Sequence, residues 1–277
     1  MFVVTALVGV SAVATAQVRV IESIPPQPPL LPPSDADIVA ALQSVDDDLN
    51  TKMAVITRAV HSDLLKPQSL RAATIRLIVQ EISKIQRIGE DRFLAFQAGT
   101  GQQPFEEEGY GEYTIQLTQL LIKQQNPAGI DGLADVVHYG NSPFWAVVGY
   151  GDAAVPALVR VARVNPRMYD SGKMQNAMDA LEQMLESPTI RPTLTANSHA
   201  QIRQLAADRM RTLRGDDNAR NLAAAASLAV ATGDRQLRTE AAALADNDSE
   251  FFRRDISVQV GQEVSDSVRQ ALEKFPQ

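Results

Sequence analysis

The sequence contains no cysteine among its 277 residues. This absence excludes disulfide bonds, thiolate catalysis, zinc sites with cysteine ligands and lipid anchors attached through cysteine. A basic excess is also missing, because the formal net charge is −7 and the isoelectric point is about 5.1. A surface that binds nucleic-acid phosphates needs such an excess. We therefore expect no nucleic-acid partner.

Aromatic residues make up only 5% of the chain, and β-branched residues do not alternate over long runs. Alanine, leucine, glutamine, glutamate and arginine dominate, and these residues favour helices. A hydrophobic content of 45% and a mean hydropathy of −0.13 fit a folded chain with a substantial core. The composition therefore predicts an all-α protein.

Recognisable catalytic and metal-binding motifs are missing too. The three histidines, His61, His138 and His199, are far apart in the sequence, and none belongs to an H-E-x-x-H arrangement. The sequence contains no G-x-S-x-G nucleophile elbow, and no pair of carboxylates stands out by spacing. We expect surface or helix-capping roles for the histidines, with no catalytic residues, metal ligands or cofactor.

The segment Gly151–Leu185 carries the clearest pattern in the chain. After a glycine turn, Val155, Leu158 and Val161 recur at helical spacing, and Pro156 lies in the first turn, where a proline is tolerated. A second helix is predicted from the apolar positions Met174, Ala177, Met178, Leu181, Met184 and Leu185. Neither helix can bury its apolar stripe alone, which predicts that the pair stacks on other helices.

The phrase Gly-Asp-Ala-Ala-Val-Pro-Ala-Leu-Val at 151–159, followed by a helix rich in alanine and leucine, resembles a HEAT-type helical repeat. The resemblance is clearest over about residues 127–186. It implies a right-handed α-solenoid of irregular HEAT-like helical hairpins, an architecture that mostly binds other proteins. The alternative is an all-α bundle without superhelical stacking.

The beginning of the chain indicates export. Residues 1–16 form an apolar run that ends in Ala-Thr-Ala, which is typical of a cleavable signal peptide, although no lysine or arginine precedes the run. An uncleaved membrane anchor and a buried helix are the alternatives; the run is shorter than the roughly 20 residues of a spanning helix. Residues 17–34 are predicted to be a stiff proline-rich linker. We expect an extracytoplasmic location, periplasmic or secreted.

The remaining chain divides into three predicted parts. Residues 35–98 are predicted to form an N-terminal helical hairpin, with an apolar stripe that starts at Val45 and a second helix capped by Ser69. Residues 99–111 form a glycine-rich loop, and residues 112–277 form the HEAT-like helical repeats. In this last part, Ser198 is predicted to cap a helix.

Side chains with rings concentrate between positions 138 and 150. They are His138, Tyr139, Phe144, Trp145 and Tyr150. Exposed tyrosine and tryptophan often form the energetic centre of a protein interface. For Phe144 and Trp145 the alternative, which we favour, is packing in the core. We predict His138, Tyr139, Trp145 and Tyr150 as binding residues, with both tyrosines partly exposed.

A group of arginines is the second candidate surface. It comprises Arg203, Arg209, Arg211, Arg214 and Arg220. Arg203 and Arg211 are the predicted binding residues for an acidic partner. The alternative, which we favour, is a surface neutralised by the nearby Asp208, Asp216 and Asp217.

These patterns predict an exported, non-catalytic protein-protein interaction or scaffold module with a protein partner. Membrane contact is expected only through an uncleaved N-terminal segment. The alternative from another class is an extracytoplasmic enzyme, or an accessory domain of one, with a carboxylate-lined cleft.

Overall fold

The computed structural model describes residues 31–45, 48–101, 109–164, 171–213, 218–246 and 258–276. The predicted signal peptide and most of the predicted linker lie outside these ranges, as does most of the glycine-rich loop. The described residues form twelve α-helices and no strand, which confirms the all-α prediction. The helices are α1 Asp35–Gln43, α2 Leu49–His61, α3 Ala72–Gln97, α4 Tyr110–Gln124, α5 Ile130–Asp135, α6 Asn141–Gly149, α7 Val155–Ala162, α8 Ser171–Glu186, α9 Ala196–Thr212, α10 Ala219–Ala231, α11 Arg235–Ala245 and α12 Val258–Lys274.

The predicted N-terminal hairpin contains three helices instead of two. The chain leaves α1 at Ser44, and α2 starts after Asp48, whose side chain accepts a hydrogen bond from the Thr51 amide at 2.8 Å. Val45 therefore lies between two helices and is 95% exposed. The local hydrogen bond that starts α2 prevails over the apolar spacing that predicted one continuous helix.

Two predicted helix caps are shifted by three residues or fewer. Helix α3 begins after Arg71, while the hydroxyl of Ser69 donates to the Lys66 carbonyl at 2.6 Å. Helix α9 is capped by Thr195, whose side chain accepts from the Ser198 amide, and Ser198 itself is buried inside the helix. In contrast, α1 is capped by Ser34, one of the two residues, Ser34 and Asp35, that the sequence offers for this cap, in a capping box with Asp37.

The central helix pair forms as the sequence predicts. Gly151 adopts a φ of +55° at the turn before α7, a conformation that favours glycine. The apolar residues predicted for α7 and α8 are buried, and the two helices pack closely on each other. Arg160 faces water on the opposite side of α7, where it pairs with Asp131 and Asp135.

Helices pack on their second neighbours along the chain as well as on adjacent helices. Such contacts join α1 to α3, α3 to α5, α5 to α7 and α7 to α9, and in a second series α2 to α4, α4 to α6, α6 to α8, α8 to α10 and α10 to α12. The described residues from position 32 onwards form one compact unit with a continuous apolar core. Helix α10 lies at the centre of its C-terminal half and contacts α8, α9, α11 and α12.

Two polar side chains at the end of α4 hold the connection between α2 and α3. The Lys123 ammonium donates to the carbonyls of Val60 at 2.7 Å and Ser62 at 2.5 Å, at the end of α2. The fully buried Gln124 accepts from the Leu70 amide at 2.8 Å and donates to the Lys66 carbonyl at 3.1 Å. The segments before and after the glycine-rich loop are therefore joined by specific hydrogen bonds as well as by apolar packing.

Among the described residues, no single helix is long and apolar enough to span a membrane. Helix α6 and the helical segment Gly151–Ala162 reach the required length and apolar character only when taken together, and a bend of 116° separates them.

Candidate functional site

The aromatic corner, which we define as His138, Tyr139, Phe144 and Trp145, lies where α5 leads into α6. Trp145 is 54% exposed, whereas Val147 and Val148 of the same helix are buried. Phe144 is half-buried against the core, and its ring meets the indole edge to face at a centroid distance of 5.2 Å. Packing in the core, the alternative for these two residues, is therefore found in part for Phe144, whereas the indole of Trp145 lies on the surface.

His138 and Tyr139 form the other half of the aromatic corner. Their rings meet at a centroid distance of 4.4 Å, and Tyr139 is 42% exposed. The imidazole Nδ1 is buried without a hydrogen-bond partner among the described residues. Burial, reinforced by the positive charge of Lys173, lowers the pKa of His138 to about 4. The imidazole is therefore uncharged at neutral pH.

Tyr150 does not present its hydroxyl to solvent. Its side chain is half-buried against the core, and its oxygen is buried with no hydrogen-bond partner in the part of the chain that the structure describes. Burial raises the pKa of this hydroxyl above its usual value. Tyr150 thus packs against the core at the turn between α6 and α7.

His138 and Tyr139 also line a cavity of about 640 Å³ beside α3. Its polar wall includes Asp135 and Lys173, whose carboxylate oxygen and ammonium lie 3.9 Å apart. Trp145 and Tyr150 do not belong to its lining. The structure therefore brings the first two predicted residues to this cavity, and Trp145 contributes a separate part of the surface.

The predicted arginine group does not form one surface. Arg211 makes two hydrogen bonds to the carboxylate of Glu240 on α11, at 3.0 and 3.1 Å. Arg209 is buried and donates to the carbonyl of Arg163. Arg203 is exposed on α9 and has no ion pair with a described residue, and Arg214 lies outside the described ranges. Charge neutralisation occurs at Arg211 through Glu240, and Asp216 and Asp217, predicted to neutralise this surface, lie outside the described ranges.

The other histidines lie apart from these groups. His61 is in the last turn of α2, where its Nδ1 lies 2.9 Å from the Thr57 carbonyl oxygen, as expected for a helix-end role. His199 is half-buried near the start of α9. Within the described ranges, no group of three or more histidine, aspartate or glutamate side chains is arranged to hold a metal ion.

A polar cavity of about 360 Å³, here called the α12 cavity, lies between α8, α10 and α12. Its lining residues are Gln175, Asp179, Glu182, Ala219, Arg220, Ala223, Ala224, Ser227, Glu263, Val264, Ser267, Gln270, Ala271 and Lys274. Several of these lining residues are alanines, whose small side chains leave the space between the three helices unfilled.

An ion-pair network forms one wall of the α12 cavity. The Lys274 ammonium lies 3.1 Å from a Glu182 oxygen and 2.8 Å from a Glu186 oxygen. The second oxygen of Glu182 accepts a hydrogen bond from the Ser227 hydroxyl. The side chain of Glu182 is only 12% exposed, whereas those of Lys274 and Glu186 are 40% and 39% exposed, so the network reaches from the protein interior to its surface. It fixes the end of α12 against α8 and α10.

Asp179 lies one helical turn before Glu182 in the same cavity. Burial, followed by repulsion from the neighbouring Glu182, raises the pKa of Asp179 to about 7, although Gln175 and Lys274 act in the opposite direction. The two carboxyl groups therefore differ in environment. Glu182 accepts a hydrogen bond from Ser227 and pairs with Lys274, whereas burial disfavours the ionised form of Asp179.

The α12 cavity was not predicted from the sequence. Asp179, Glu182 and Glu186 are spaced by three and four residues, so they share one face of α8, and this spacing is a signal in the sequence. Their partner Lys274 is 92 residues away from Glu182 in the chain, and no local pattern connects them. Only the packing of α12 on α8 and α10 assembles the site.

Comparisons with protein-family models, curated proteins and solved structures found no match to this chain.

Proposed function

We propose that this chain is a non-catalytic protein-binding module and that the aromatic corner is its contact surface. The observation that carries this proposal is the exposure of the only tryptophan, Trp145, on a helix whose other large apolar side chains pack inward. Exposed tryptophan and tyrosine are enriched among residues that dominate binding energy, because a large apolar ring with a polar atom loses little conformational entropy when it is buried. Tyr139, 42% exposed beside His138, extends the same surface.

We further propose that the helices form a right-handed HEAT-like α-solenoid. The contacts between second neighbours along the chain support this architecture, since stacked helical hairpins bring equivalent helices of successive units together. The aromatic corner would then lie at a turn between helices, where solenoid proteins commonly present binding residues. The signal-like residues 1–16 support an extracytoplasmic site of action.

The experiment is affinity capture from the extracytoplasmic fraction of the source cells, followed by purification of the captured protein and measurement of its Kd. We expect Trp145→Ala to weaken binding at least about tenfold, which corresponds to roughly 1.4 kcal/mol. The matched control is Ile115→Ala, which removes another exposed apolar side chain, on α4. A Trp145→Ala variant that remains folded by circular dichroism and binds with unchanged Kd would refute the proposed surface.

The second candidate function is an extracytoplasmic enzyme or an accessory domain of one. It is favoured by the α12 cavity, where Asp179 and Glu182 have different environments, a pattern that enzymes use to divide acid and base roles. Hydrolytic activity that disappears in both Asp179→Asn and Glu182→Gln would support this candidate. Activity that survives both substitutions would place the chemistry elsewhere.

A further inference from the structure

We propose that the α12 cavity is a binding site for a small organic cation, a protonated primary amine, with Asp179 as its counter-ion. This site is separate from the aromatic corner and does not depend on the protein-binding proposal. It is assigned from the space between α8, α10 and α12 and from the distribution of charge on their facing sides.

The size of the α12 cavity limits the ligand. A volume of about 360 Å³ is at the lower end of the range for small-molecule sites. Ala223, Ala224 and Ala271 provide an apolar floor, while Ser227 and Gln270 contribute polar atoms. This combination suits a molecule with a short hydrocarbon part and one polar head group.

Asp179 has no ion pair with a described residue, although the charge of Lys274 acts on it from a greater distance. The wall of the α12 cavity also carries Gln175 and Glu182 from α8, Arg220 and Ser227 from α10, and Glu263 and Lys274 from α12. Lys274 is already held between Glu182 and Glu186, at 3.1 and 2.8 Å. Arg220 is exposed and has no ion pair with a described residue. A partly buried carboxylate is costly unless a positive charge accompanies it.

A protonated amine meets these conditions better than an anion or a metal ion. An ammonium donates three hydrogen bonds, and the carboxylate of Asp179, the Ser227 hydroxyl and the amide oxygen of Gln175 or Gln270 are acceptors on the cavity wall. The cavity wall carries three carboxylates, Asp179, Glu182 and Glu263, against two cations, Arg220 and Lys274. Because Lys274 is already paired, the excess of negative charge disfavours an anion. No group of three or more potential metal ligands occurs among the described residues, in this cavity or elsewhere.

Binding of an amine requires the ionised form of Asp179. Burial raises the pKa of this carboxyl to about 7, so part of the population must lose a proton before the cation can pair with it at neutral pH. The affinity should therefore increase from pH 6 to pH 8, with a change of about tenfold for each pH unit well below the pKa.

The experiment follows backbone amide shifts of the full chain by NMR during titration with n-butylammonium, n-butanol and butyrate at pH 8. We expect saturable shifts in α8, α10 and α12 with n-butylammonium alone, and at least a tenfold weaker affinity in Asp179→Asn. Asp208→Asn makes the same charge change at an exposed position of α9 outside the cavity, and its affinity should stay within twofold of the original. Lowering the pH to 6 tests the same carboxyl without a substitution and should weaken binding about tenfold.

Three results would overturn the proposal. One is the absence of saturable shifts at about 50 mM n-butylammonium, well above a millimolar Kd. Another is equal weakening by Asp179→Asn and Asp208→Asn, which would indicate nonspecific attraction to an acidic protein. The third is binding of butanol or butyrate as strong as that of the amine.

Discussion

His138 shows how the position of one side chain determines a pH response. Its imidazole lies at the aromatic corner with Nδ1 buried, and burial together with Lys173 lowers its pKa to about 4 in the folded protein. In the unfolded chain the pKa returns to about 6.5, so the unfolded state takes up a proton between these values while the folded state does not. The contribution of His138 to stability is therefore complete above pH 6.5 and is lost as the pH falls towards 4.

We predict that His138→Gln reduces the loss of stability between pH 7 and pH 4.5 by about 1–3 kcal/mol. The measurement is urea unfolding, followed by circular dichroism at a series of pH values, for the original protein and the variant. His199→Gln, at a half-buried position in α9, is the control for the loss of a histidine side chain as such. Identical profiles for the original chain and His138→Gln would show that His138 does not titrate differently on unfolding.

The exposure of single residues was the least predictable property of the site. Residues 144–148 are all apolar, so the sequence of α6 does not show which face is buried. In the structure the indole of Trp145 is exposed, whereas Val147 and Val148 are buried. Tyr150, predicted as partly exposed, has a half-buried ring and a buried hydroxyl.

At the scale of elements, Gln124 of α4 determines how α2 connects to α3. It is fully buried and satisfies both the Leu70 amide and the Lys66 carbonyl. We predict that Gln124→Ala lowers the free energy of unfolding by about 1–3 kcal/mol, since the buried Leu70 amide loses its acceptor, whereas the Lys66 carbonyl keeps the Ser69 hydroxyl as a donor.

The matched control for this prediction is Gln119→Ala, an exposed glutamine on the same helix. It makes the same chemical change and should alter stability by no more than about 0.5 kcal/mol. Chemical denaturation of the two variants beside the original chain gives the comparison. Equal effects of the two substitutions would mean that the buried hydrogen bonds of Gln124 contribute nothing beyond helix propensity.

Elements were predicted well where the pattern was periodic and poorly where local hydrogen bonds determine a boundary. The stripes of α7 and α8 repeat at helical spacing, and both helices occur as expected. The break at Ser44 and the caps at Arg71 and Thr195 were missed, because several nearby polar residues can each start a helix and only tertiary packing selects one. The α12 cavity was not predicted because it too depends on tertiary packing, which brings α8 and α12 together although they are far apart in the sequence.

At the scale of the whole molecule, the contacts between second neighbours imply stability that varies along the chain. Helix α10 is covered by four other helices, whereas α1 contacts mainly α2 and α3. In a stacked architecture the terminal helices open without disrupting the centre. We predict that hydrogen exchange is slowest in α10 and faster by at least about tenfold in α1, measured by mass spectrometry of peptic fragments.

Equal protection of α1 and α10 would contradict this prediction. It would indicate that the chain opens as a single cooperative unit, as expected for an all-α bundle without superhelical stacking.

The measurement that tests the central claim most directly is the fluorescence of Trp145 during titration with the purified partner. The chain contains only one tryptophan, so its tryptophan emission reports on the aromatic corner alone. If the partner contains tryptophan, either its tryptophans are replaced or its own emission spectrum is subtracted. If the corner is the contact surface, the emission of the exposed indole shifts to shorter wavelength as the partner removes water from it, and the shift saturates at the independently measured Kd. A partner that binds fully while the emission stays unchanged would place the interface elsewhere and contradict the account.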